Sequence, residues 1–187
     1  PDRALAGGFE REFSGKVLEV GNAVTRHKPG DRVTVEPVIS CGTCYYCQRG
    51  DYHLCQSISF QYREGQGAFT THFIAHENHV FQLPDNISYQ EGALVEPLSV
   101  ALHAVKKSGI RLGDTSAVFG DGAIGILVAM LCRQVSGLGS YVSGVRPFRL
   151  NKALELGAGM AINSTEIDPV KVILDETDHL GVDKSFE

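Results

Sequence analysis

Four of the five cysteines fall within fifteen residues: Cys41, Cys44 and Cys47 at intervals of three, then Cys55 after a gap of seven residues. The pattern C-x2-C-x2-C-x7-C admits three chemistries. Paired disulfides belong to secreted domains, and nothing else in the sequence marks secretion: the residues after Pro1 form no apolar leader. An iron–sulfur run would be C-x2-C-x2-C-x3-C-Pro, whereas here the last gap is seven and Gln56 follows Cys55. Four thiolates on a short loop suit a tetrahedral, structural Zn2+. The segment 37–56 holds few large aliphatic residues and cannot bury enough surface to offset the entropy of ordering it. Metal–thiolate bonds would stand in for a local core, so metal binding becomes folding free energy. Cys41, Cys44, Cys47 and Cys55 are the expected metal ligands.

Composition narrows the rest. A chain of 187 residues allows one domain or two small ones, and 43% hydrophobic with 21% charged residues is a globular balance. A net charge of -5 gives no electrostatic footprint for nucleic acid or an anionic membrane. The longest apolar run, Ala123 to Cys132, is broken by Gly125 and is half the length of a bilayer span. The expectation is an intracellular, cytoplasmic protein without nucleic-acid or membrane partners. A first residue other than Met suggests a piece of a longer chain. Cys132, inside the apolar run, reads as a buried structural thiol.

The pattern changes near residue 90. Before it, short β-type runs at 16–20, 31–35 and 79–83 alternate with turns such as Pro29-Gly30 and Pro84-Asp85. After Pro97 the order is strand, helix, strand, helix, which implies a parallel sheet with crossovers. The buried run 115–119 feeds directly into Gly120-Asp121-Gly122-Ala123-Ile124-Gly125, followed by a helical stretch from Ile126 to Val135. A G-x-G-x-x-G in that context is a dinucleotide-binding turn. Gly120 permits the bend, Gly122 admits a diphosphate to the backbone, Gly125 brings helix and strand together, and Ile124 lies beside the helix N-terminus. About 20 positions on, the strand tip should carry an acid for the ribose 2′-OH. The segment Tyr141 to Arg149 has none. Gly144 takes that place, and Arg146 and Arg149 follow, which leans towards NADP(H) over NAD(H); solvated turn arginines are the competing reading.

Taken in order, Gly30-Asp31-Arg32-Val33, the four-cysteine loop, Leu83-Pro84-Asp85-Asn86, Glu91 to Ser99 and the Gly120–Gly125 turn resemble the zinc-containing medium-chain alcohol dehydrogenases, particularly the polyol branch with sorbitol, xylitol and L-arabinitol dehydrogenases. The resemblance implies an α/β chain: a GroES-like β-rich catalytic domain over 1–90, lacking its N-terminal part, then a Rossmann domain (a doubly wound parallel sheet) over 91–187, lacking its C-terminal part. It also implies hydride transfer between an alcohol or sugar alcohol and NADP or NAD, a structural and a catalytic Zn2+, and homo-oligomeric full-length relatives. In such enzymes a Cys, a Gly-His-Glu motif and a later Glu surround the catalytic metal. Glu96 matches the later Glu, and Glu12 the motif's Glu.

The sequence departs from that pattern where the metal-binding His belongs. In the register that uses Glu12 the position is Arg11; sliding to Gly8-Phe9-Glu10 makes it Phe9. No cysteine precedes Cys41, and a guanidinium repels Zn2+. Two further readings stay open: a zinc-stabilised nucleotide-binding remnant without a catalytic metal, and a zinc-ribbon interaction protein. Residues 1–12 match the family poorly and suggest joined foreign sequence. The final run to Glu187 reads as a fourth Rossmann strand, whose open edge would favour aggregation. His72, His76 and His79 read as surface or partly packed side chains on a strand and turn. His103 reads as a core histidine, and the Glu10/Glu12 pair is too isolated for glycosidase-type acid–base work.

Overall fold

A computed structural model describes residues 11–61 and 67–187. The chain divides into two compact units, with the break after Glu96.

The first unit is built on antiparallel pairing. Strand β2 (Arg32–Val35) lies between β1 (Ser14–Lys16) and β5 (Val80–Gln82), with Ser14 opposite Thr34 and Val33 opposite Gln82. The β-branched side chains of β2 supply the small core: Val33 and Val35 pack with Val80, against Phe13, Val17, Phe73 and Ala75. Strand β3 (Val38–Ile39) pairs with β4 (Ser59–Phe60), and the cysteine lobe lies between them in sequence, with α1 (Tyr45–Gln48) inside it. Helix α2 (Tyr89–Ala93) opens on a capping box: Ser88 Oγ accepts the Glu91 N–H, and the Glu91 carboxylate accepts the Ser88 N–H.

Two expectations fail here for clear reasons. The run 16–20 is not a strand beyond Lys16. The Val17 N–H and C=O bond to Asp31 and Gly30 of the turn just before β2, where Gly30 has φ 97°, so no partner strand continues and Leu18 is exposed. The stretch around His72 and His76 is irregular, followed by a 3-10 turn at Glu77–His79. His72 and His76 are exposed, His79 half-buried.

The second unit is a parallel sheet in the order β8-β7-β6-β9: β8 is Met160–Asn163, β7 Tyr141–Gly144, β6 Ser116–Phe119 and β9 Lys184–Phe186. Sequence order runs outward from β6 to β7 to β8 and then crosses to β9 on the other side, the doubly wound arrangement. Helix α3 (Val95–Ser108) precedes β6, and α4 (Ala123–Ser136), α5 (Pro147–Glu155) and α6 (Pro169–Glu176) make the connections. A parallel sheet covered on both faces needs apolar strands, and Ala117, Val118, Val142 and Ile162 are all buried. The larger core joins Val118 and Val142 to Ile126, Val128, Ala129 and Cys132 of α4 and Ala101 and Val105 of α3. Cys132 is fully enclosed; burial pushes its thiol up, while Ser116 and Ser140, themselves bonded at 2.7 Å, pull it back. His103 is exposed rather than buried. The inward face of α3 is set by Pro97, Ala101 and Val105, and two residues past Ala101 the helix has turned about 200°.

Candidate functional site

The cysteine lobe has no interior of its own. No residue of α1 is buried, and Tyr45 and Leu54 are exposed. The lobe is shaped instead by turns: Gly42 (φ 73°) and Gly50 (φ 87°) take left-handed backbone that glycine alone adopts without strain. These turns bring Cys41, Cys44, Cys47 and Cys55 together, with all four Sγ atoms within 4.8 Å of one another. A tetrahedron with Zn–S bonds of about 2.3 Å has edges of roughly 3.8 Å. The observed Sγ–Sγ separations of 3.5 Å (Cys44–Cys47), 3.9 Å (Cys41–Cys47) and 4.0 Å (Cys44–Cys55) match it.

The surroundings are those of thiolate ligands. The Cys44 N–H points at Cys41 Sγ, and the Cys41 and Ser57 N–H groups point at Cys55 Sγ, each at 3.3 Å. Hydrogen bonding from the Thr43 backbone and hydroxyl, then from Cys44, lowers the Cys41 thiol to about 6. Cys47 goes the other way, to about 11, through burial and the neighbouring thiols. One thiolate makes the next harder to form; a divalent cation removes that conflict by taking all four as thiolates. The four residues fit a structural Zn2+. Among the described residues no other group of three or more Cys, His, Asp or Glu side chains converges in this way.

The glycine turn joins β6 to α4. Gly120, at φ 134°, donates its N–H to Ser143 of β7 at 2.8 Å. Gly122 is the N-cap of α4 and offers no side-chain acceptor, so the first turn of the helix keeps N–H groups for an anion. A β-carbon on Gly122 would meet nothing within 4 Å; one on Gly125 would lie 2.2 Å from the Gly120 carbonyl oxygen. Open backbone over Gly122 and contact under Gly125 are the two properties a diphosphate cradle needs. Ile124 is partly exposed beside it.

At the tip of β7, Gly144 is buried, Arg146 exposed and Arg149 half-buried, with the Arg149 guanidinium 5.6 Å from the Phe148 ring centre. The residue that sequence reasoning missed is Asp121. Its Oδ2 accepts the Val145 N–H at 3.1 Å and the Arg146 N–H at 2.8 Å, and its carboxylate lies against Gly144. The available signal was an acid inside the glycine turn with a glycine about one strand–helix–strand unit later.

The candidate catalytic-metal residues are Glu12 and Glu96. Glu96 is half-buried at the start of α3; burial raises its carboxyl first, the charge of Glu12 adds to this, and Arg11 opposes it. Arg11 donates its N–H to Glu12 Oε2 at 3.0 Å and sets its guanidinium 4.5 Å from the Phe60 ring centre. The described residues therefore bring together two carboxylates and a guanidinium, which is not a fit for Zn2+. The alternative register through Phe9 and Glu10, and the residues read as foreign sequence before Arg11, lie outside the described residues.

A parallel sheet with a glycine turn, preceded by a β-rich unit carrying four convergent thiols, defines a metal-stabilised dinucleotide-binding class. Residues 7–85 match the alcohol dehydrogenase GroES-like domain. The chain is 38% identical over 178 residues to sorbitol dehydrogenase of Bacillus subtilis (strain 168), covering 94% of this chain and 50% of that protein. To (R,R)-butanediol dehydrogenase of the same organism it is 40% identical over 177 residues, covering 94% and 50%. Among solved structures, a zinc-binding dehydrogenase described from Sinorhizobium meliloti 1021 with bound NADP superposes at TM-score 0.82 with 34% identity, covering 87% of this chain and 47% of that one. A protein described as a short chain alcohol dehydrogenase, from Escherichia coli CFT073 and complexed with NADH, gives a TM-score of 0.80 with 28% identity, covering 89% and 50%. Residues 7–85 carry the likeness to the alcohol dehydrogenase GroES-like domain, and the chain is similar to polyol dehydrogenases over about half of their length. It spans about half the length of the curated relatives it matches. No helix among the described residues is long and apolar enough to cross a membrane.

Proposed function

We propose that this chain is part of a cytoplasmic oxidoreductase that transfers a hydride between an alcohol or sugar alcohol and NAD or NADP, assembled as a homo-oligomer. The observation that carries the reading is the turn from β6 to α4, where backbone opens over Gly122 and closes under Gly125. In this reading residues 1–90 belong to the GroES-like catalytic domain and 91–187 to the dinucleotide-binding domain. The diphosphate rests on Gly120, Gly122, Ile124 and Gly125 at the N-terminus of α4. Arg146 and Arg149 stand at the adenosine end.

Cys41, Cys44, Cys47 and Cys55 would hold a structural Zn2+, which supplies the folding free energy that their lobe cannot draw from burial. Its chemistry is structural because four protein thiolates leave no open position. Glu12 and Glu96 are the chain's candidates for contact with a catalytic metal or its water. The described residues alone do not complete that site.

Three measurements test the reading: zinc per chain after dialysis, NAD(H) and NADP(H) binding, and dinucleotide-dependent oxidation of a panel of short polyols. One tightly held zinc with dinucleotide binding supports it. A protein that binds neither dinucleotide defeats it.

A further inference from the structure

Resting on the dinucleotide reading, we infer that Asp121 is the residue that sets the choice between NAD(H) and NADP(H), and that it favours NAD(H). In a doubly wound sheet the ribose of the adenosine half lies at the tip of the second strand, where a carboxylate binds its 2′-OH. That tip here is Gly144, which suggests a site free of negative charge. The geometry is the opposite. Asp121 reaches across from the glycine turn, and a β-carbon on Gly144 would lie 2.3 Å from Asp121 Cβ, 2.5 Å from Cγ and 2.6 Å from Oδ2. Gly144 is the residue that admits this carboxylate, so a strand tip with no acid of its own has one beside it from the turn.

The charge is also uncompensated. Oδ2 takes two neutral backbone N–H groups, from Val145 and Arg146, which solvate the carboxylate without cancelling its charge. No ion pair among the described residues includes Asp121. Asp121 is 7% exposed as a residue, and no described residue donates to Oδ1. Yet Oδ1 is not among the buried atoms without a partner, which are His27 Nδ1 and His79 Nδ1. Oδ1 is thus the carboxylate oxygen left without a donor among the described residues, and the one offered to a ribose hydroxyl in this inference. A 2′-phosphate in the same place would carry about two negative charges towards it.

The test compares NAD(H) and NADP(H) affinity by calorimetry, with ADP-ribose and its 2′-phosphate as fragments, in the parent protein and in Asp121→Asn. Asparagine keeps the shape and one oxygen to accept the two N–H groups but removes the charge. The parent is expected to prefer NAD(H) and ADP-ribose by about tenfold or more, and Asp121→Asn to bring the two affinities within about threefold. A parent preference for NADP(H) overturns the inference, as does a variant that weakens both ligands equally. If Asp121→Asn does not fold, the parent's preference alone decides. Binding of neither dinucleotide by the parent overturns the underlying dinucleotide reading and this inference with it; binding with the wrong preference overturns only this one.

Discussion

Gly125 lies directly beneath Gly120: a β-carbon on Gly125 would sit 2.2 Å from the Gly120 carbonyl oxygen and 3.3 Å from Val118 Cγ1. The nearest atom is backbone, which cannot swing aside as a long side chain can. Gly125→Ala should therefore force α4 away from β6 and cost about 1–3 kcal/mol, several degrees of melting temperature. Gly122→Ala is the informative contrast. Its φ is -74° and its surroundings are open, so melting should fall only by the modest N-cap preference for glycine over alanine, while dinucleotide affinity falls because the added methyl stands where the diphosphate approaches. Thermal melts and dinucleotide titrations on both variants check the pair. Equal binding by Gly122→Ala and the parent would argue against the cradle.

Cys44→Ser should release the metal and unfold the cysteine lobe, because no apolar interior remains to hold it. The measurements are zinc content after dialysis and the sites of limited proteolysis, with new cleavage expected between residues 37 and 56. A chelator should reproduce the effect, and so should acid, since the ligands must be thiolates. Unchanged zinc and unchanged protease resistance would show that the four sulfurs do not act as one site.

These two sites were legible in the sequence to different depths. The cysteine spacing predicts that four thiols converge, and their Sγ atoms do lie within 4.8 Å of one another. The order strand, glycine turn, helix names the doubly wound sheet because parallel strands require crossovers. What the sequence hides is contact across long separations. Asp121 and Gly144 are apart in sequence, and Gly144 alone reads as a missing acid until the carboxylate of Asp121 is seen against it. Leu18 and Val20 look like strand residues because their types suit a strand, yet the Gly30 turn removes the partner. The outward turn of His103 follows from which face of α3 is buried, and that face is set by packing rather than by the histidine's apolar neighbours in sequence.

Acid should weaken the fold through several carboxylates held below the usual range by hydrogen bonds to their charged forms. Glu91 is held down by Ser88, first its hydroxyl and then its backbone; Glu77 by the Thr25 and Arg26 N–H groups; and Asp183 by the Thr115 backbone and hydroxyl. A depressed carboxyl contributes its stability above its unfolded pKa, about 4, and loses it as pH falls through the lower folded value. The contribution of these three carboxylates to the melting temperature should thus hold steady above about pH 5 and be lost below about pH 4. Ser88→Ala should cost about 1 kcal/mol near neutral pH, the usual worth of an N-cap, and this difference should shrink in acid as Glu91 protonates. A melting temperature independent of pH down to about 3 would contradict the assignment.

Glu96 should behave in the opposite sense. Burial and the charge of Glu12 raise its carboxyl, with Arg11 offsetting part of the effect. Stability from a raised carboxyl is fully present below the unfolded pKa and is lost as pH rises through the folded value, so at neutral pH the ionised Glu96 is a burden on the fold. Glu96→Gln removes that burden while keeping size and hydrogen-bonding capacity. The variant should melt at or above the parent's temperature near pH 7, and the difference should vanish towards about pH 4 as the parent's carboxyl protonates. If Glu96 also contacts a catalytic metal or its water, the same variant should lose dehydrogenase activity while keeping its dinucleotide affinity and the zinc of the cysteine lobe. Gain in stability with loss of turnover would place Glu96 in the chemistry. Loss of stability at neutral pH would instead mean that the ionised carboxylate holds the start of α3 in place, through the helix dipole or through Arg11.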